Sequence, residues 1–307
     1  MATNRHITET ERAQWASMAH LALLQCIGDA VPWSIQDYAF HGGTSLHLNW
    51  NSPRFSEDLD FLLSTRVAVR LKSVMAIVGA RLQETLLLTA PPLTVTITDM
   101  STARIGNFRV TLTRPGILGA VQVKAGFWLV PPTYFENYQA TLRTPGIPAN
   151  LGGARIRVDT LLPAATIESA YYDKLTAFAT RSHLKWRDLF DFWWIDQQLP
   201  DEVAETPSLA RVKGHLRGYD TAEGLSPSAA LRRFAAMLTD RTAVIAAADL
   251  ALKPFVSPSM WTSIRQATLG EMVDLARTRT MRLATLLEVE ALTPLPGTGT
   301  NTGASGS

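Results

Sequence analysis

Cysteine is nearly absent from this chain. Cys26 stands alone, so no disulfide can close within the chain and no cysteine-based zinc site can form. That suits a reducing, cytoplasmic setting, with Cys26 as an inert thiol in an apolar helical stretch. An excess of charge of one sign is missing too. Lys and Arg total 29 against 27 Asp and Glu, a net charge of +2, which is too small to argue nucleic-acid binding from overall charge. Long apolar runs do not occur. The opening MATNRHITETERAQW holds no stretch of signal-peptide type, and no run reaches the roughly 18 residues that span a bilayer. The expectation is a soluble, unsecreted protein with no membrane partner. No internal repeat is visible, which removes solenoids and propellers.

What is present is a chain of 307 residues with 46% apolar content, enough for a sizeable core and for two domains. Thr8-Glu9-Thr10-Glu11 has the capping-box pattern and predicts a helix running to about Gly28. Tyr38 to His41 reads as a strand that meets a Gly42-Gly43 turn and a short helix; Asp58 to Leu62 reads as another strand. Val67 to Leu88 is helical in pattern. Leu93–Thr98, Ile105–Thr113 and Ala120–Val130 read as strands, and Arg155–Asp159 as one more. From Thr166 to Leu292 the pattern is helical. The fold class expected is therefore α+β with a mixed sheet over residues 1–160, a helical domain over 161–292 that completes the site, and a disordered tail over 293–307.

Two local patterns carry chemistry. Phe40-His41-Gly42-Gly43-Thr44-Ser45 places two glycines between a strand and a helix. Backbone can approach a ligand closely there, helix-terminal N–H groups suit phosphate, and the Thr44 and Ser45 hydroxyls are further donors. A plain tight turn would look the same. In Arg54-Phe55-Ser56-Glu57-Asp58-Leu59-Asp60 the strand period of two sets Asp58 and Asp60 side by side. Adjacent carboxylates repel unless a cation lies between them, and a hard divalent ion takes such oxygen ligands. Ser56, two residues before Asp58, faces the same side. A phosphate on it would add about −1.5 to −2 charges there, which makes Ser56 a candidate switch site.

A Gly-Gly-Thr turn followed about fourteen residues later by Asp-x-Asp on a strand resembles the DNA polymerase beta-like nucleotidyltransferases. A third segment narrows the resemblance. It runs Lys174-Leu175-Thr176-Ala177, then Arg181, then Lys185-Trp186-Arg187-Asp188-Leu189-Phe190-Asp191, and is similar to the Lys-Leu-x-Ala…Arg…Lys-x-Arg-Asp-x-x-Asp signature of AbiEii-type toxins, among them the MenT toxins of mycobacteria. The match covers roughly residues 38–63 and 155–196. It implies a nucleoside triphosphate substrate, Mg²⁺ or Mn²⁺ on Asp58 and Asp60, the 3′ end of tRNA as acceptor and a cognate antitoxin as partner. Catalytic roles would fall to Asp58, Asp60, Lys174 and Asp188. Gly42, Gly43, Thr44, Ser45, Arg54 and Arg181 would hold the nucleotide: the turn on the β- and γ-phosphates, Arg54 or Arg181 by a bidentate phosphate contact.

Two roles stay open for Asp188, an ion pair that orients Lys174 or a contact with the acceptor. Lys174 and Arg181, seven apart, are expected on one helix face. The strand around Gln122 and Lys124 lacks the third carboxylate that many relatives of this superfamily carry. His41, His47 and His183 show no metal-ligand spacing and read as structural or surface residues. Basic residues including Arg104, Arg109, Arg114, Lys124, Arg143, Lys213 and Arg217 would suit RNA if several lined one groove, and an ordinary solvated surface if not. An acceptor that is a protein or a small molecule, or a non-catalytic nucleotide-binding module, are the alternatives.

Overall fold

The computed structural model describes residues 4–88, 93–148, 151, 156, 158–264 and 266–292. The expected tail from Thr293 onward lies outside them. The chain opens with β1 (Arg5–His6) and helix α1 (Glu9–Ala30), then β2 (Tyr38–His41), α2 (Gly42–Trp50), β3 (Asp58–Ser64), α3 (Thr65–Ala68) and α4 (Leu71–Leu87). Strands β4 (Thr94–Asp99), β5 (Ile105–Thr113), β6 (Ile117–Leu118), β7 (Val121–Val130), β8 (Ala140–Arg143) and β9 (Leu162–Ala165) follow. Helices complete it: α5 (Ile167–Thr180), α6 (Trp186–Asp196), α7 (Asp201–Glu205), α8 (Leu209–Leu216), α9 (Pro227–Ala236), α10 (Arg241–Leu252), α11 (Pro258–Ser263) and α12 (Gln266–Leu292).

The capping box forms as the sequence predicts: the Thr8 hydroxyl accepts from the Glu11 N–H and the Glu11 carboxylate accepts from the Thr8 N–H. Seven strands make one mixed sheet in the order β4-β5-β7-β3-β2-β9-β8. The parallel pairs are β3 with β7 and β2 with β9; the others are antiparallel. The strand expected over 155–159 does not form at the described residues 156, 158 and 159, and the remaining two lie outside the described set. The sheet instead takes Leu162–Ala165, whose four residues are all buried between neighbours. Patterning alone did not separate the two stretches.

Helices α1 and α4 cover one face of the sheet. Helix α4 does so with the stripe Leu71, Val74, Met75, Val78, Leu82 and Leu86, spaced by three and four residues. Beneath them Phe61 stacks on Phe127 at 4.8 Å, and Leu59, Ala125, Phe108 and Val110 fill the same layer. Each fully buried side chain of this size contributes roughly 1.5–3 kcal/mol of transfer free energy. On the other face, Tyr134, Phe135 and Tyr138 pack over Ala39, Leu62, Val130 and Ala165. The helices after residue 166 form further cores, in which Phe178 meets Phe192 and Phe234. Over β4, β5 and the first half of β7 the second face stays open: Gln122 and Lys124 are exposed while Val121, Val123 and Ala125 are buried. Among the described residues no helix is long and apolar enough to cross a membrane.

Candidate active site

Strand parity builds the centre of the site. Leu59 and Phe61 point into the core, so Asp58 and Asp60 point to the opposite face. Across the strands His41 of β2 and Gly126 of β7 stand opposite Asp60, and Lys124 of β7 stands opposite Asp58. Neither carboxylate has a hydrogen bond or ion pair among the described residues. Burial pushes the Asp60 carboxyl above its ordinary range; His41 opposes the shift and Asp58 reinforces it. The turn closes over this pair because it lacks side chains. Gly42 has φ of +76°, and a Cβ there would lie 2.9 Å from Asp60 Oδ2.

A second layer comes from the helices. Thr166 caps α5 by accepting from the Ser169 N–H and so sets the phase that brings Lys174 inward. Asp188 and Asp191, three apart on α6, share a face. Lys174 Nζ donates to Asp188 Oδ1 at 2.9 Å and to Asp191 Oδ2 at 2.7 Å. Arg54 grips Asp191 with both prongs, Nε to Oδ1 at 2.6 Å and Nη2 to Oδ2 at 2.8 Å. Asp188 also pairs with Arg181. Arg54 is 3% exposed and Asp191 fully buried. Burial alone would raise the Asp191 carboxyl, yet the charges of Arg54 and Lys174 hold it down at about 2. Burial likewise lowers the Lys174 ammonium, against the pull of Asp191. Two carboxylates answering three cations is an arrangement in which each charge is retained by its partners.

Several sequence expectations change here. Arg54 spends three of its five N–H groups within the protein, Nε and Nη2 on Asp191 and Nη1 on the Phe55 carbonyl, while still lining the cavity. Arg181 is not on the face of α5; the helix stops at Thr180 and Arg181 is its extended cap, reaching Asp188 from there. The Thr44 hydroxyl donates to the Asp58 carbonyl and the Ser45 hydroxyl to the Phe40 carbonyl. Both side chains are buried, so they bind the turn to its strands, and neither lines the cavity. Gly42 and Gly43 do line it. Gly43 also makes room for Arg54, whose Nη2 lies 2.0 Å from where a Cβ would be. Asp188 makes the ion pair to Lys174 that was one of its two open roles.

Sequence reasoning left Asp191 without a role and missed a histidine–carboxylate cluster. His41 Nδ1 lies 3.2 Å from Asp173 Oδ2, the Tyr138 hydroxyl donates to the same oxygen at 2.8 Å, and His215 Nδ1 lies 3.1 Å from Oδ1. Burial would raise the Asp173 carboxyl, but the hydrogen bonds from His215 and His41 hold it well below the usual range. The signal for Asp191 was its i+3 spacing from Asp188. His41 and Asp173 are 132 residues apart, and nothing local relates them. His47 is structural as expected, its ring bonded to the Ser52 carbonyl at 2.7 Å.

These groups surround one cavity of about 410 Å³. Its floor carries Asp58, Asp60, Gly42, Gly43 and Ser56; its wall carries His41, Lys174, Arg181, Lys185, Arg187 and Asp188, with Trp128 and Tyr219 at one side. Lys185 and Arg187 add positive charge opposite the carboxylates. Among the described residues no group of three or more His, Cys, Asp or Glu has metal-binding geometry. Asp58 and Asp60 are the residues that could hold a cation: two hard oxygen donors without a hydrogen bond or ion pair among the described residues, with cavity beside them. That fits a hard divalent ion and does not fit a closed structural site.

Residues 33–271 match a protein family described as the nucleotidyl transferase AbiEii toxin of type IV toxin–antitoxin systems. Among solved structures the chain is similar to MenT4, a nucleotidyltransferase toxin of Mycobacterium tuberculosis H37Rv, at 18% identity and a TM-score of 0.50, covering 93% of each chain. It is also similar to JHP933 of Helicobacter pylori, at 15% identity and a TM-score of 0.46, covering 93% of this chain and 99% of the other. No curated protein matches the sequence. At these identities the structural likeness concerns the fold alone.

Proposed function

From the premise that the chain belongs to the AbiEii family of nucleotidyltransferase toxins, we propose that it transfers a nucleoside monophosphate from a nucleoside triphosphate to RNA, at the 3′ end of tRNA, and so blocks translation. The observation that carries this reading is the unpartnered pair Asp58 and Asp60 beside the buried ammonium of Lys174 in one cavity. In the transfer, an acceptor hydroxyl oxygen bonds to the α-phosphorus, the bond from phosphorus to the bridging oxygen breaks so that pyrophosphate leaves, and the hydroxyl proton passes to water. A Mg²⁺ or Mn²⁺ held by Asp58 and Asp60 would supply Lewis-acid stabilisation of the charge that develops.

The chain's own groups have distinct parts. Helix α2 starts at Gly42 without a side-chain cap, so the first-turn N–H groups are free to hold the β- and γ-phosphates. Lys174 gives two of its three N–H bonds to Asp188 and Asp191. The third serves the triphosphate, and the two carboxylates keep the ammonium in place and charged despite burial. Arg54 is a positioning residue that fixes Asp191. Arg181, held by Asp188 and one-third exposed, offers its other N–H groups to phosphate. In this reading residues 1–160 form the nucleotidyltransferase domain and 161–292 the helical domain that completes its site, with β9 as the element past 160 that joins the sheet.

Ser56 lines the cavity beside Gly43. Its phosphorylation by a cognate antitoxin would set a dianion among the carboxylates and repel a triphosphate. The test of the activity is incubation with Mg²⁺, each α-labelled nucleoside triphosphate in turn and total tRNA, with Asp58→Ala and a chelator as controls. Label entering tRNA with the wild type alone is expected. Absence of label in RNA from all four nucleotides sinks the tRNA reading.

A further inference from the structure

Next to the carboxylate pair lies a pair of cations that form no ion pair among the described residues. Strand β3 places Asp58 opposite Lys124 of β7, and β7 places Lys124 directly opposite Arg109 of β5. Phe108 and Val110 on either side of Arg109 are buried in the core, so Arg109 points to the same open face as Lys124 and Asp58. Among the described residues neither cation has an ion pair or hydrogen bond. Arg109 Nε is buried from solvent and has no hydrogen-bond partner. Like charges placed directly opposite on a sheet face destabilise it, and a buried donor left unmatched adds its own desolvation penalty. An anion across the two relieves both.

Other basic residues of the chain are accounted for differently. Arg104 pairs with Asp220, Arg211 with Glu168, Lys213 with Glu290, and Arg143 lies over the Trp50 ring at the far edge of the sheet. Apart from Asp58, which stands opposite Lys124, the neighbours of Arg109 and Lys124 on this face are uncharged hydrogen-bonding groups: Asn107, Thr111, Gln122 and Thr98. With strands about 4.8 Å apart, Lys124 and Arg109 stand roughly 5 and 10 Å from Asp58. A polyanion lying across β5 and β7 would thus present its end to the carboxylates.

We propose that this open face of β5 and β7 is the docking surface for the backbone of the acceptor RNA, with Lys124 and Arg109 each taking a phosphate next to the reacting 3′ end. The proposal rests on the RNA-transferase reading. It adds where the RNA runs and which side chains hold it. Recognition here is of phosphate spacing along a strand, not of base identity.

The test is binding of total tRNA to the full chain without nucleotide, by fluorescence anisotropy over a range of salt concentrations, for the wild type and for Arg109→Gln/Lys124→Gln. The thermal midpoint of each protein reports folding. Each phosphate contact to a single strand contributes about 0.7 to the slope of log affinity against log salt. The double variant should lose about 1.4 from that slope, which is roughly 25-fold in affinity at 0.1 M salt if the two lines meet at 1 M. An unchanged slope and affinity overturns the proposal, as does a wild type that does not bind RNA. RNA binding that is unchanged while a protein partner is lost assigns the face to that partner and equally overturns it. Salt-dependent binding through these residues by a wild type that labels no RNA would leave the surface standing and refute the acceptor assignment instead.

Discussion

Replacing Asp191 by Asn separates a structural hub from a reacting group. Asp191 is fully buried and accepts three hydrogen bonds from two cations, Arg54 and Lys174. The substitution keeps the volume, removes the charge and turns an NH₂ toward one of the donors. Arg54 then has no carboxylate, and Lys174 keeps Asp188 alone. Removing one partner of a buried ion pair costs about 3–5 kcal/mol, because the remaining charge stays buried without compensation. In a chain of this size a kilocalorie moves the thermal midpoint by about 2–4 °C, so a fall of roughly 6–20 °C is expected. The pH dependence identifies the cause. The carboxyl sits at about 2 in the folded protein against 3.8 ordinarily. A lowered carboxyl contributes stability above its unfolded value, and that stability is lost as pH falls through the folded one. The wild type should therefore lose on the order of 2 kcal/mol between about pH 4 and pH 2 from this group. Asp191→Asn lacks that group, so the gap between the two proteins should narrow over the same window. Calorimetric unfolding of both proteins from pH 7 to 2 measures this. A midpoint within about 2 °C of wild type at pH 7, or a gap that stays constant with pH, refutes the account of Asp191 as the hub.

Asp60→Asn should act in the opposite sense: it removes an unpartnered carboxylate that burial disfavours, so stability should hold or rise while transfer falls at least about 100-fold. Thermal midpoint and label transfer measured together check it, and a midpoint well below wild type would make Asp60 structural. Gly43→Ala sets a Cβ 2.0 Å from Arg54 Nη2 and must dislodge Arg54 from Asp191. A loss of about 1–3 kcal/mol in denaturant unfolding is expected, and wild-type stability would show that Arg54 can move aside freely. Ser56→Glu should abolish label transfer while Ser56→Ala retains it; a Glu variant with full activity removes Ser56 as a switch.

Much of the site could be read along the chain. The side-by-side placement of Asp58 and Asp60 follows from the two-residue period of a strand, and the bare turn follows from Gly42 and Gly43. The grouping of Lys174, Asp188 and Asp191 on helices came from spacing and from likeness to a known signature. The α+β class, with its helical second part, followed from where the period changes from 2 to 3.6. Choices among potential partners were not legible. Arg54 and Thr44 look like phosphate donors in sequence; Arg54 is engaged 137 residues away on Asp191, and the Thr44 hydroxyl on a carbonyl 14 residues away. A strand of the sheet fell at Leu162–Ala165 and not at the described residues 156, 158 and 159, because it is Leu162–Ala165 that docks against β2 and β8.

The sequence by itself determined which residues face the same way within an element, because that is a property of backbone geometry over a few residues. Only the tertiary structure decided which faces meet. The register of β3 on β7 and of β7 on β5 set Asp58 beside Lys124 and Lys124 beside Arg109, and the packing of α5 on α6 gave Lys174 two carboxylates. Burial then fixed what each charge is worth, since a cation in water is indifferent to its neighbours while one in a dry wall must have a partner.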